Sequence, residues 1–114
     1  MTTGMLPCSM TRIRLLYVPC PSAEVATALA RAALHSRLAA CANIVPAIRS
    51  LYWWEGEIQD DGESLLILKT DVGHLDALRA KLLEEHPYEV PCLATLEPDD
   101  VNAAYTAWLT ASLD

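Results

Sequence analysis

The run Leu65-Leu66-Ile67-Leu68 puts apolar side chains on both faces of any strand that contains it, and Leu15-Leu16-Tyr17-Val18 does the same near the start of the chain. Successive strand residues point to opposite sides, so a sheet with one wet face should alternate apolar with polar. Neither segment alternates, and both therefore belong to a sheet that is covered on its two faces. At 114 residues the chain has room for one two-layer core and not for two. The second cover must come from a small extra element or from another molecule.

The rest of the chain orders itself around these strands. Residues 12–20 read as a first strand, which Pro21 stops; Ser22 then offers an N-cap and Glu24 an acidic first turn. Val25, Ala28, Leu29, Ala32 and Ala33 follow helical spacing. Residues 40–54 read as a long strand with a bulge or edge at Pro46, which has no N–H to give a ladder. Glu55-Gly56 is a hairpin turn, and the return strand runs EIQ, a polar kink DDGE, then SLLILKT. A second helix over 73–85 puts Leu75, Leu78 and Leu82 on one face and must stop near His86, because Pro87 disfavours helical geometry before it. A short strand in PCLATLE and a last helix from about Asn102, carrying Tyr105, Trp108 and Leu109, complete the chain. The order β-α-β-β-α-β-α predicts an α+β fold, the ferredoxin-like split βαβ with one added helix. We expect residues 1–11 to be a loose tail, with Met5 and Met10 as alternative starts, and 12–114 to be a single domain.

The hairpin tip raises the cover problem again. Tyr52, Trp53 and Trp54 stand side by side just before the turn. Each such ring buries ~150–250 Å², which at ~25 cal/mol per Å² is at most about 4–6 kcal/mol. Three exposed rings on a marginal two-stranded ribbon are uneconomical, so these side chains are expected to pack on a neighbouring subunit.

Composition narrows the function classes. Hydrophobic residues make up 53%, much of it Ala and Leu, yet no apolar run approaches the ~20 residues of a membrane span. The formal charge is −7 with the acids dispersed, which argues against nucleic acid, whose binding needs clustered Lys and Arg. The first residues lack a basic, apolar export signal, and Cys8, Cys20, Cys41 and Cys92 form no CxxC. Free thiols and a cytoplasmic setting are the expectation. There is no Gly-rich phosphate loop and no nucleophile elbow, so no enzyme is expected.

The segments RLAACANIVPAIRSLYWWEGEIQ, LLILKT, HPYEVP and AYTAWL, in this order, resemble the CutA divalent-cation-tolerance family over about residues 13–113. The resemblance implies a ferredoxin-like homotrimer, similar to the PII signalling proteins, with hairpins exchanged between subunits. It requires no cofactor, and points to copper or another divalent cation as ligand. The chain departs from the family's usual pattern at Glu57, at VNAA before the last helix, and at Cys92.

Metal-ligand candidates are Cys41, His86 and Glu89, because thiolate and imidazole suit copper and zinc. None stands at a dedicated ligand spacing, so a full shell would have to be assembled in space, across subunits if need be. Cys41 is alternatively a small core thiol, and His86 a helix-end residue. Glu89 lies in a loop that suits function. Tyr52, Trp54, Lys69 and Tyr88 are candidates for a ligand cleft or interface; Lys69 either snorkels at a strand end or meets an anionic ligand. His35 and His74 read as solvated helix residues. Two functions follow: a trimeric protein that binds divalent metal ions, or a PII-like module that takes a small anionic metabolite or a protein partner between subunits.

Overall fold

The computed structural model describes residues 11–113. Apart from Thr11 the expected tail, with Cys8, lies outside the described residues. The elements are β1 (Ile13–Cys20), α1 (Ala23–His35), β2 (Cys41–Trp54), β3 (Glu57–Asp71), α2 (Leu75–Glu85), β4 (Ala94–Leu96) and α3 (Ala103–Ser112). Their order is the one the sequence predicts, and the four strands form one antiparallel sheet in the order β2-β3-β1-β4.

The core fills one face of that sheet. Leu16, Val18 and Cys20 of β1 and Leu66 and Leu68 of β3 are fully buried, together with Leu29 and Ala33 of α1 and Leu78 and Leu82 of α2. Ser22 caps α1, its Oγ accepting from the Val25 amide at 3.2 Å. The buried stripe of α1 is Ala26, Leu29, Ala30 and Ala33, and Ala28, expected inside, is exposed. Alanines stand on every side of this helix, so their spacing alone defines its inner face poorly. His74 is no solvated helix residue: it is the N-cap position of α2, and its Nδ1 lies 2.7 Å from Oδ1 of the buried Asp71.

The polar kink expected at DDGE does not occur. β3 is continuous through it, and the irregularity sits across the ladder in β2. Val45 pairs with Leu65 but Ile48 with Glu63, so three steps of β2 pass two of β3. Pro46 cannot donate to the ladder and tolerates this bulge, and Ser64 Oγ donates to its carbonyl at 2.7 Å. The extra residue reverses the facing of β2. Before it, Cys41, Asn43 and Val45 share the face opposite the core with Lys69, Ile67 and Leu65; after it, Ser50, Tyr52 and Trp54 do so, across from Asp61, Gln59 and Glu57.

That second face is only partly covered within one chain. α3 sits at its Lys69 end, where Lys69 Nζ donates to Tyr105 Oη at 3.3 Å and lies 5.2 Å from the ring centre. Leu109 of α3 is fully buried, whereas Trp108 is half exposed. Tyr17, Val45 and Leu96 remain exposed. Beyond the bulge β2 and β3 continue as an arm, closed by a turn in which Glu55 (φ 52°) and Gly56 (φ 81°) both take positive φ, as a I′ hairpin requires. A bidentate pair stiffens the arm, Arg49 Nε to Asp60 Oδ1 at 2.8 Å and Nη2 to Oδ2 at 2.6 Å. Being exposed, it contributes geometry more than stability.

Candidate functional site

The arm and the loop between α2 and β4 face each other across a cleft of about 420 Å³. From the arm come Ser50, Tyr52, Trp54 and Glu63; from the loop come Tyr88, Glu89, Val90 and Cys92; Pro19 forms the floor. Ser50, Tyr52 and Trp54 reach this side only because the bulge has turned β2 over. Without it, Leu51 and Trp53 would stand there instead.

The loop is held at both ends. Pro87 ends α2, leaving His86 at its C-cap with extended geometry, and the buried His86 ring turns inward rather than toward the cleft. The Tyr88 amide donates to His86 Nδ1 at 3.1 Å, so that nitrogen carries no proton. Nε2 therefore does, and donates to the Pro19 carbonyl at 3.0 Å. Farther along, Arg79 of α2 donates to the Leu93 carbonyl at 2.8 Å and to Thr95 Oγ1 at 3.0 Å. In between, Tyr88 Oη reaches across the sheet to Glu63 Oε2 at 2.5 Å. The His86 and Tyr88 rings are 4.8 Å apart and tilted.

Charge in the cleft has one sign. Glu63 and Glu89 line it, and no Lys, Arg or His does so among the described residues. The phenols feel this. Burial, followed by the hydrogen bond to Glu63 and its charge, raises the Tyr88 hydroxyl well above the ordinary phenol range. Tyr52 donates to Asp61 Oδ2 at 2.5 Å, and that bond chiefly raises its own proton affinity. Beneath the floor, burial and then the charge of Glu63 push the Cys20 thiol up to about 11.

Of the residues singled out in the sequence, Tyr52, Trp54, Tyr88 and Glu89 are thus brought to one cleft. Lys69 is not; it stands at the other end of the sheet on Tyr105. Cys41 pairs with Lys69 in the ladder, four residues along β3 from Leu65, the partner of Pro19. At ~3.3 Å per residue that separates it from the cleft floor by about 13 Å. Its half-buried thiol lies on the face away from the core, with Asn43 Oδ1 at 4.0 Å. No three His, Cys, Asp or Glu side chains converge as a metal shell among the described residues. Pro19, Ser50, Glu63, Val90 and Cys92 were missed as lining residues. Glu63 was legible only by counting the bulge residue when deciding which side of β3 meets Tyr52.

A family model described as CutA1 divalent ion tolerance protein matches residues 14–112. The chain is 44% identical over 98 residues to "Protein CutA 1, chloroplastic" of Oryza sativa, covering 86% of this chain but 55% of that protein, about half its length. It is 40% identical over 93 residues to the "Divalent-cation tolerance protein CutA" of Pectobacterium atrosepticum, covering 82% of this chain and 84% of that one. The crystal structure of CutA1 from Oryza sativa superposes with a TM-score of 0.87 at 41% identity, over 91% of this chain and 95% of the other. The structure of a protein from Archaeoglobus fulgidus described as periplasmic superposes with a TM-score of 0.86 at 29% identity, over 90% and 99%.

Proposed function

The chain belongs to the CutA1 divalent ion tolerance family, and on that premise we propose that it is a trimeric, non-enzymatic protein that binds copper or another divalent cation. The observation that carries this reading is the sign of the cleft: two carboxylates and two phenols, with no lining cation among the described residues. A concave site bordered by low-dielectric rings concentrates the field of its charges and raises the local concentration of cations. The chain's net charge of −7 acts in the same direction. A small anion would meet repulsion there, so the metabolite-binding alternative has no support from the cleft.

Among the candidate ligands, Glu89 is the one presented to solvent. His86 becomes a ligand only by giving up the Pro19 carbonyl or the Tyr88 amide. Cys41 becomes one only with donors from elsewhere on the sheet face or from a second copy. A shell shared between subunits therefore fits the family's assembly better than a shell within one chain. Exposed Leu51, Trp53 and Ile58 on the arm and Tyr17, Val45 and Leu96 on the sheet supply apolar surface for that assembly. A cytoplasmic setting, which keeps Cys20, Cys41 and Cys92 as thiols, is part of the proposal.

Calorimetric titration of the native assembly with Cu(I) under reducing conditions and with Zn(II) tests the reading. Saturable binding that weakens at least about tenfold in Glu89→Gln or Cys41→Ser is expected, since loss of one ligand typically costs a metal site that much or more. Binding unchanged in both variants, or no binding at all, would overturn it.

A further inference from the structure

The cleft has room for a larger cation than a metal ion. Its volume of about 420 Å³ lies in the range of small-molecule pockets and exceeds the ~30 Å³ of one water by an order of magnitude. A bare divalent ion needs four or more donors at about 2–2.5 Å, and such convergence does not occur here among the described residues. What the cleft offers is different: the rings of Tyr52, Trp54 and Tyr88, and the carboxylates of Glu63 and Glu89.

Aromatic faces attract a cation through their quadrupole, and do so best when the cation is weakly hydrated. A strongly hydrated divalent ion gains little from these rings and draws on the carboxylates alone. An ammonium ion carrying methyl or short alkyl groups loses little hydration, fills the apolar space and keeps its charge near the carboxylates. The two phenols add to the match because their protons are already committed to Asp61 and Glu63. Their hydroxyls present oxygen rather than a free donor, which suits a cation and not an anion. The anchored loop holds Tyr88 and Glu89 in place beforehand, so little ordering is needed on contact.

We propose that the cleft between the arm and the α2–β4 loop binds a small organic ammonium ion, with Tyr52, Trp54 and Tyr88 as its aromatic wall and Glu89 as its counter-charge. This rests on the reading of the cleft as a cation site and names a second class of cation for it.

Choline and its neutral isostere 3,3-dimethylbutan-1-ol, titrated into the native assembly by calorimetry at fixed ionic strength, provide the test. Choline should bind at least about fivefold more tightly, the discrimination expected of a partly desolvated cation–π site. Glu89→Gln and Trp54→Leu should each weaken choline about three- to tenfold. Should Trp54→Leu disturb folding or assembly, as judged by circular dichroism and sedimentation, Glu89→Gln alone carries the comparison. Equal affinity for the isostere, no choline binding, or choline binding that Glu89→Gln leaves unchanged would each overturn the proposal. Metal binding without choline binding removes this inference and leaves the metal-binding reading. Choline binding without metal binding does the reverse.

Discussion

Tyr88 Oη donates to Glu63 Oε2 at 2.5 Å, tying the α2–β4 loop to the arm across the cleft. This single bond sets the width of the site, because Tyr88 is anchored behind by His86 and Glu63 by the β3 ladder. Tyr88→Phe should therefore destabilise the protein by about 1.5–3 kcal/mol, the usual worth of a hydrogen bond to a charged group. Denaturant melts measure it, and a variant as stable as the parent would show that the bond is not retained in solution.

Alkaline pH reads the burial of Tyr88 and, after it, the same bond. The Tyr88 hydroxyl is raised in the folded state, whereas in the unfolded chain it titrates near ~10. Above that value the unfolded chain releases its proton first, so the folded state binds more protons and stability falls as pH rises. The stabilisation is complete below pH ~10 and is lost progressively above it. Melting temperatures from pH 8 to 11 should decline, and decline less steeply in Tyr88→Phe.

Thiol reactivity should divide by burial. Cys92 is exposed at the cleft mouth, whereas Cys20 is buried with its thiol pushed up to about 11. Because the thiolate is the nucleophile, iodoacetamide at pH 8 should modify Cys92 and spare Cys20 until denaturant is added. Peptide mass mapping decides it, and early labelling of Cys20 would mean that the β1 end opens readily.

The arm should test the proposed trimer. Trp53 stands 72% exposed on the face of the arm opposite the cleft. If that ring is an anchor between copies, Trp53→Ser should cost about 2 kcal/mol or more in association and shift dilute protein toward monomer. Sedimentation should give three times the chain mass for the parent; a parent that sediments as a monomer would sink the assembly.

The turn is improvable. Glu55 holds φ 52° without being Gly, Asn or Asp, a conformation that costs an ordinary L-residue about 1–2 kcal/mol. Glu55→Asn, which creates the preferred Asn-Gly pair, should stabilise the hairpin by about 0.5–1 kcal/mol in denaturant melts.

Element order, the Pro46 bulge and the turn at Glu55-Gly56 were legible because each rests on a local rule: apolar period, a missing N–H, a glycine at positive φ. The inner face of α1 was not, because Ala28 and Ala30 are the same residue and only packing tells them apart. His86 was legible as a helix end but not as an inward-turned ring, since its partners are the Pro19 carbonyl, 67 residues away in sequence, and the Tyr88 amide. Glu63 was hidden in a polar stretch that resembled a break in the strand. Its role depends on pairing across the hairpin, and no local pattern reports that.

The extra residue at Pro46 makes the orientation of the arm a matter of counting rather than of chemistry. Removal of one codon at Ala47 would leave a regular ladder, with Val45 on Leu65, Pro46 on Ser64 and Ile48 still on Glu63, so Tyr52 and Trp54 would keep their place in the cleft. The bulge is thus a spare position: the arm can absorb the loss of one residue without turning its lining over, whereas the same residues paired without a bulge would bring Leu51 and Trp53 round instead.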